Sequence, residues 1–175
     1  MGFMTRIYIT GVSGVGKSSV SRELNKRGIL SIDIDSVKDL CNWTNIETKE
    51  KVDWQPGKND AWYDSHTWIC DKKKMLKLLD QKKDVVVVGC APNQEEYLDM
   101  FDKIFVLTCK SEIFIHRINN RSDNDYGKHE LEWKKVLELH ESDFNKDLVE
   151  KRKALLIDAN KPLEDVVNEI VSKFD

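Results

Sequence analysis

The chain has 175 residues, 40% of them hydrophobic and 34% charged, with 28 Lys and Arg against 31 Asp and Glu for a net charge of −3. That length suits one domain with a sizeable core, and the balance excludes a disordered or membrane-embedded chain. No global basic excess points to nucleic acid as a partner, and no apolar run is long enough to span a bilayer. The cysteines, Cys41, Cys70, Cys90 and Cys109, are far apart and form no CxxC pair, which argues against a zinc site or a disulfide framework. The N-terminal MGFMTRIYIT has too short an apolar part for a signal peptide. A cytoplasmic protein with reduced thiols is expected.

In chain order, RIYIT (6–10) is a β-branched and aromatic run that stops at Gly11, the pattern of a buried strand. GKSSVSRELNKRG then puts Val20 and Leu24 on one helical face, with Gly28 placed to end the helix. ILSID (29–33) reads as a second strand. Residues 36–70 hold Trp43, Trp54, Trp62 and Trp68 with a Pro56-Gly57 turn and no clear period, so a partly helical inserted lobe is expected. DKKKMLKLLDQK (71–82) is amphipathic, with Met75, Leu76 and Leu79 inward and the Lys72–Lys74 run solvated.

DVVVVGC (84–90) is a continuous apolar run, as in a strand covered on both faces. Asn93-Gln94-Glu95-Glu96 has the form of a capping box opening a short helix. KIFVLT (103–108) is the next strand, and a helix follows from about Ser111. After the polar stretch SDNDYGK (122–128), a single long helix would align Trp133, Val136, Leu137, His140, Phe144 and Leu148. ALLIDA (154–159) is the last strand. Pro162 introduces a closing helix with Leu163, Val166, Val167, Ile170, Val171 and Phe174 at helical spacing. Five strands alternating with helices imply a doubly wound α/β domain covering residues 1–175, with a mostly parallel sheet.

Gly11-Val12-Ser13-Gly14-Val15-Gly16-Lys17-Ser18 satisfies G-x-x-x-x-G-K-[ST] between a strand and a helix. Such a loop curls its N–H groups around phosphate oxygens at a positive helix end. Lys17 would reach the β- and γ-phosphates, and Ser18 would offer its hydroxyl to Mg²⁺. The motif identifies a nucleotide-binding superfamily and leaves the reaction open.

A guanine-specific switch needs N-K-x-D, yet Asn160-Lys161-Pro162-Leu163 has leucine in place of the aspartate. VVVVGCAP (85–92) supplies neither the aspartate of D-x-x-G nor the strand-end acid of a motor ATPase. The acids stand instead in Ser31-Ile32-Asp33-Ile34-Asp35-Ser36, where alternation would put Asp33 and Asp35 on one face of an extended chain. One could bind Mg²⁺ through water while the other orients or deprotonates an attacking hydroxyl. Alternatively, the pair caps the next helix. Arg117 and Arg121 are four apart on the expected helix, just before the polar stretch, as in a lid that carries guanidinium groups to the γ-phosphate. Lys128 could add a third cation, and an exposed basic face is the plainer alternative.

Together GVSGVGKSS, IDID, the Arg117–Arg121 pair and IDANKPLEDV resemble the adenylate-kinase-like branch of small P-loop kinases, shikimate kinases most closely. The resemblance covers most of the chain and is loose from about 36 to 83. It implies a three-layer P-loop sandwich with a five-stranded parallel sheet in the order 2-3-1-4-5. It further implies an acceptor-binding lobe over about 36–83 and a lid over about 121–130. ATP and Mg²⁺ would be bound by Gly11, Ser13, Gly14, Val15, Gly16, Lys17, Ser18 and Ser19. By the same resemblance Arg117 packs near the adenine or phosphates, Arg121 acts in the lid, and Ala159, Asn160 and Pro162 line the adenine pocket. Asp33 and Asp35 would lie beside Mg²⁺ and the acceptor hydroxyl.

No arginine occurs between Arg27 and Arg117, the region from which such enzymes grip an acceptor's phosphate or carboxylate. A less anionic alcohol, such as a nucleoside, a sugar or a small antibiotic-like molecule, is favoured over a nucleoside monophosphate or shikimate. The tryptophans, with Tyr63 and His66, could form an aromatic acceptor pocket or simply the lobe's own core. Gly89-Cys90-Ala91 would let a substrate approach the sheet edge. The expected activity is phosphoryl transfer from ATP to a small-molecule hydroxyl, and the rival from another class is a regulatory module that hydrolyses ATP slowly.

Overall fold

The computed structural model describes residues 5–80, 82–142 and 144–174. Residues 1–4, where a signal peptide would begin, and Gln81, near the end of the expected lysine-rich helix, lie outside the described residues, as do Asp143 and Asp175.

Strand β1 (Arg6–Thr10) leads through the glycine loop into α1 (Lys17–Lys26), and β2 (Ser31–Asp33) follows. Next come β3 (Cys41–Asn45), β4 (Lys51–Val52), α2 (Asp60–Ser65), β5 (His66–Cys70) and α3 (Lys72–Asp80). The remaining elements are β6 (Val85–Val88), β7 (Lys103–Thr108), α4 (Ser111–Asn120), α5 (Glu130–Glu141), α6 (Phe144–Arg152), β8 (Leu155–Asp158) and α7 (Leu163–Val171).

The main sheet has five strands in the order β2-β6-β1-β7-β8, all paired in parallel. Counting only these strands along the chain, the order is 2-3-1-4-5, as expected. The continuous apolar runs explain it. Successive side chains of a strand point to opposite faces, and here both faces are covered. Ile7, Ile9, Val86, Val88, Phe105 and Leu107 pack with residues of α1, α4 and α7 on one side. Tyr8, Val85, Val87, Ile104 and Val106 pack with Met75 and Leu79 of α3 and Leu148 of α6 on the other. Each fully buried side chain of this kind contributes about 1.5–3 kcal/mol, so the sheet is the rigid frame of the molecule.

One local expectation is extended and three are corrected. Residues 36–70 hold the expected helical portion, α2, and in addition a three-stranded antiparallel sheet, β4-β3-β5, that no local period announces. Leu76 faces outward and is 45% exposed, leaving Met75 and Leu79 as the buried residues of α3. The long helix is two, α5 and α6. Ser142 is extended, and its hydroxyl accepts the Phe144 N–H at 3.3 Å, which ends one helix and starts the other.

The capping box at Asn93 does not form. The Asn93 amide instead pairs with both backbone groups of Cys70, donating to its carbonyl at 2.9 Å and accepting its N–H at 3.0 Å. Only 3₁₀ turns follow, at Gln94–Glu96 and Leu98–Met100. Asn93 thus acts as a strand residue for the edge of β5 and fastens the inserted lobe to the main sheet.

Candidate active site

The register aligns Ile9, Asp33 and Val88 at the carboxyl ends of β1, β2 and β6. Ligand crevices in open α/β sheets form at such ends. The chain leaves β1 into the phosphate loop, whose turn depends on Gly14. There φ is +85°, and a Cβ would lie 2.7 Å from the Phe114 carbonyl oxygen and 2.8 Å from Ile118. Only glycine fits this close approach to α4. Lys17 Nζ donates to the carbonyls of Gly11 at 2.7 Å and Val12 at 3.0 Å, which holds the cation over the loop.

Two cavities open on either side of this loop. The first, of about 510 Å³, is lined by Ser13, Gly14, Val15, Gly16, Lys17, Ser18 and Ser19, with Arg117, Arg121 and Ala159 opposite. Most of the residues expected to hold the nucleotide line this cavity; Gly11, Asn160 and Pro162 do not. The second, of about 650 Å³, is lined by Trp43, Trp54, Tyr63 and Trp68 of the inserted lobe and by Tyr126. Ser13, Lys17, Asp35 and Asn124 belong to both. The cavity over the phosphate loop, where a phosphate donor is expected (the donor cavity), and the second cavity therefore meet at a lysine and a carboxylate.

The two aspartates are not alternating residues of one extended strand. Asp33 ends β2, and Asp35 lies in the 3₁₀ turn Ile34–Ser36, because Asp33 Oδ1 accepts the Asp35 N–H at 3.0 Å and closes the turn. Asp33 is thus a cap, and it lines neither cavity. Asp35 opens into both and is exposed, with protein close around its carboxyl. That desolvation, and next the charge on Asp33, pushes its carboxyl above the ordinary range, against the pull of Lys17, Arg121 and the Trp68 indole.

Arg117 and Arg121 do not share a helical face. Asn120 turns its amide back to the His116 carbonyl at 2.7 Å, α4 stops there, and Arg121 is extended. Arg117 donates to the carbonyls of Val15 at 2.9 Å and Ala159 at 3.0 Å, stapling the phosphate loop to the β8–α7 connection. Arg121 donates to the carbonyls of Asn124, at 2.9 Å, and Tyr126, so it organises the segment after α4 from inside the donor cavity. Burial lowers its pKa.

That segment is less short of apolar anchors than its composition implies. The Tyr126 ring sits 6.2 Å from Trp43 and 5.8 Å from Trp54, and Lys128 is engaged with Asp125 at 2.8 Å. On the β8–α7 side, Ala159, Lys161, Leu163 and Val166 line the donor cavity, whereas Asn160 and Pro162 do not. Asn160 instead accepts the Lys110 N–H at 2.9 Å, and Pro162 caps α7. Of Gly89-Cys90-Ala91, only Cys90 lines the second cavity, and Gly89 serves packing. A Cβ there would lie 2.2 Å from Ile34, so the missing side chain makes room for the turn that carries Asp35.

Sequence reasoning alone does not single out Asn42, Asp53 and Lys135, which also line the second cavity, or Asn124, common to both. They carry no motif, although Tyr126, as the lone aromatic of a polar stretch, signals a docked segment. No group of three or more His, Cys, Asp or Glu among the described residues could hold a metal by itself. The donor set fits Mg²⁺ bound largely through phosphates and water. Ser18 lines the donor cavity with its hydroxyl in no protein hydrogen bond among the described residues, and a second Asp33 oxygen remains outside its cap. No helix among the described residues is long and apolar enough to cross a membrane.

Comparison with known proteins agrees with the fold. The family profile described as AAA domain (AAA_18) matches residues 7–138. A Methanocaldococcus jannaschii protein provisionally named an adenylate kinase is 31% identical over 171 residues, 95% of this chain and 84% of the relative. Among solved structures, deoxyadenosine kinase from M. mycoides with bound dATP superposes with a TM-score of 0.61 at 16% identity, covering 97% of this chain and 98% of that one. Shikimate kinase from Acinetobacter baumannii in complex with shikimate gives 0.59 at 17% identity, covering 97% and 92%. At these identities the structural likeness is one of fold. The chain belongs to the AAA-domain family and, within it, to the adenylate-kinase-like P-loop small-molecule kinases.

Proposed function

We propose that the protein transfers the γ-phosphate of ATP to a hydroxyl of a small uncharged molecule. The observation that carries this reading is the meeting of the two cavities at Lys17 and Asp35. A phosphate chain laid along the loop in one cavity points its terminal group at the other.

In this reading Lys17 neutralises charge on the β- and γ-phosphates, and Arg117 and Arg121 add cationic character where charge develops. Asp35 accepts the proton of the attacking hydroxyl as the new O–P bond forms and the bond to ADP breaks. Ser18 would hold Mg²⁺, which would supply positive charge against the phosphates, and Asp33, set back from both cavities, would act only through water. Asn124 and Tyr126 close the common wall and exclude water. Four free thiols suit a cytoplasmic setting.

A nucleoside monophosphate is the poorer acceptor because no arginine lines the second cavity. Slow hydrolysis by a regulatory module is the poorer rival, since β6 ends in Val88 and Gly89 rather than an acid able to activate water. ATP turnover measured with and without a panel of nucleosides, sugars and nucleotides tests the reading. Stimulation by one class of alcohol, abolished in Asp35→Asn with ATP affinity retained, is the expected result. Equal turnover with and without every acceptor would remove the transferase reading in favour of the hydrolytic module.

A further inference from the structure

We infer that the hydroxyl acceptor is a nucleoside, with its base against the aromatic wall of the second cavity and a sugar hydroxyl at Asp35. The inference rests on the transferase reading and adds the substrate class. Trp43, Trp54, Tyr63, Trp68 and Tyr126 all line the cavity. Trp43 lies 5.9 Å from Trp68 and 6.2 Å from Tyr126, and Trp54 lies 5.8 Å from Tyr126, so the wall continues from the lobe onto the segment after α4.

These rings are held from behind. Trp62, outside the cavity lining, packs 5.1 Å from Trp43 and stacks on His66 at 4.4 Å with planes 7° apart. Trp54 Nε1 donates to Tyr63 Oη at 3.0 Å, and Tyr63 donates to the buried Glu132 at 3.0 Å. A lobe that needed tryptophan only as filler would not align so many ring atoms on an open cavity of about 650 Å³. That volume falls within the range of small-molecule sites, about 300–1,000 Å³, and leaves room for a base joined to a sugar.

Charge limits the ligand further. The lining contains Lys17 and Lys135 against Asp35 and Asp53, and no arginine. Lys17 serves the donor phosphates, and Lys135 already lies 5.3 Å over the Tyr63 ring and 4.0 Å from Asp60. Among the described residues, Lys135 is thus the one lining cation not assigned to the donor, and the Tyr63 ring and Asp60 both compete for it. Three polar groups remain to read the edge of a base. The Asp53 carboxylate and the Thr67 hydroxyl make no side-chain hydrogen bond among the described residues, and Asn42 uses only its amide nitrogen, toward Asp39. A flat, neutral, hydrogen-bonding ring system joined to a hydroxyl-bearing sugar satisfies all of these constraints.

The test is steady-state ADP release from ATP with purine and pyrimidine nucleosides, the matching monophosphates, and monosaccharides, together with nucleoside binding followed by tryptophan fluorescence. The expected result is stimulation and quenching by at least one nucleoside, with its monophosphate weaker. Base–aromatic stacking of about 1–3 kcal/mol converts to a loss of about 5- to 150-fold on truncation. Trp54→Leu should therefore raise KM for the nucleoside by at least about fivefold and move KM for ATP much less. Trp43→Phe, which keeps a ring, should keep most of the binding if truncation at 54 disturbs the lobe. Stimulation by a monosaccharide, and by no nucleoside, overturns this inference and leaves the transferase reading standing; stimulation by a monophosphate alone overturns this inference and the uncharged-acceptor reading together. Turnover indifferent to every acceptor overturns both.

Discussion

Asp35 is held in an environment that disfavours its own charge. Desolvation is the larger cause of its raised pKa, and Asp33 is the next. An acid whose pKa is higher in the folded state than in the unfolded chain costs stability once pH rises above the unfolded value, and the loss is complete above the folded value. At neutral pH, in EDTA, Asp35→Asn should therefore raise the melting temperature slightly, because solvent screens an exposed carboxylate, while it abolishes transfer. The gain should fade as the pH is lowered through the carboxylate range. A variant that melts below the parent at neutral pH would contradict this account of Asp35. Gly14 permits a second prediction at the same scale. Its positive φ, with the Phe114 carbonyl 2.7 Å from any Cβ, should make Gly14→Ala cost at least about 1–3 kcal/mol and weaken ATP binding, as denaturation and nucleotide titration would show.

Between the elements, the least expected connection is the one through Glu132. Fully buried on α5, it accepts Tyr63 Oη at 3.0 Å from the inserted lobe and the Gly127 N–H at 2.9 Å from the segment after α4. Glu132→Ala strands both donors, each worth about 1–3 kcal/mol when left unsatisfied in the interior. A fall of several degrees in melting temperature should accompany a larger rise in KM for the acceptor than for ATP, and Glu132→Gln should recover most of both. If the two KM values move together, Glu132 is only a stability residue. None of this network is legible in ELEWKKVLELHE, where Glu132 looks like any surface acid. The main strands were legible because their burial is written in consecutive apolar residues. The lobe's strands were not, because Cys41 and Cys70 pair across a long excursion of chain and CNWTN carries no local period strong enough to announce it. Asn93 misled for a related reason: a good helix cap by type, it spends its amide on the backbone of a distant strand.

Over the whole molecule, the segment 121–130 touches both substrate cavities and both halves of the fold. Arg121 in the donor cavity holds the carbonyls of Asn124 and Tyr126, Tyr126 closes on Trp43 and Trp54, and Asp123 lies 3.6 Å from Arg22 on α1. Its position is therefore felt from both sides, and by linkage a ligand that orders it from one side must favour the other equally. Coupling of about 1–3 kcal/mol, or about 5- to 150-fold, is typical of such arrangements. A non-hydrolysable ATP analogue should tighten acceptor binding by a factor in that range, and the acceptor should tighten analogue binding by the same factor. Tyr126→Ala removes the ring that joins the segment to the lobe, so it should reduce the factor toward one while leaving analogue affinity in the absence of acceptor nearly intact. Calorimetric titrations in both orders measure this directly. Independent binding in the parent protein would mean that the segment is a fixed wall and the two cavities act as separate sites.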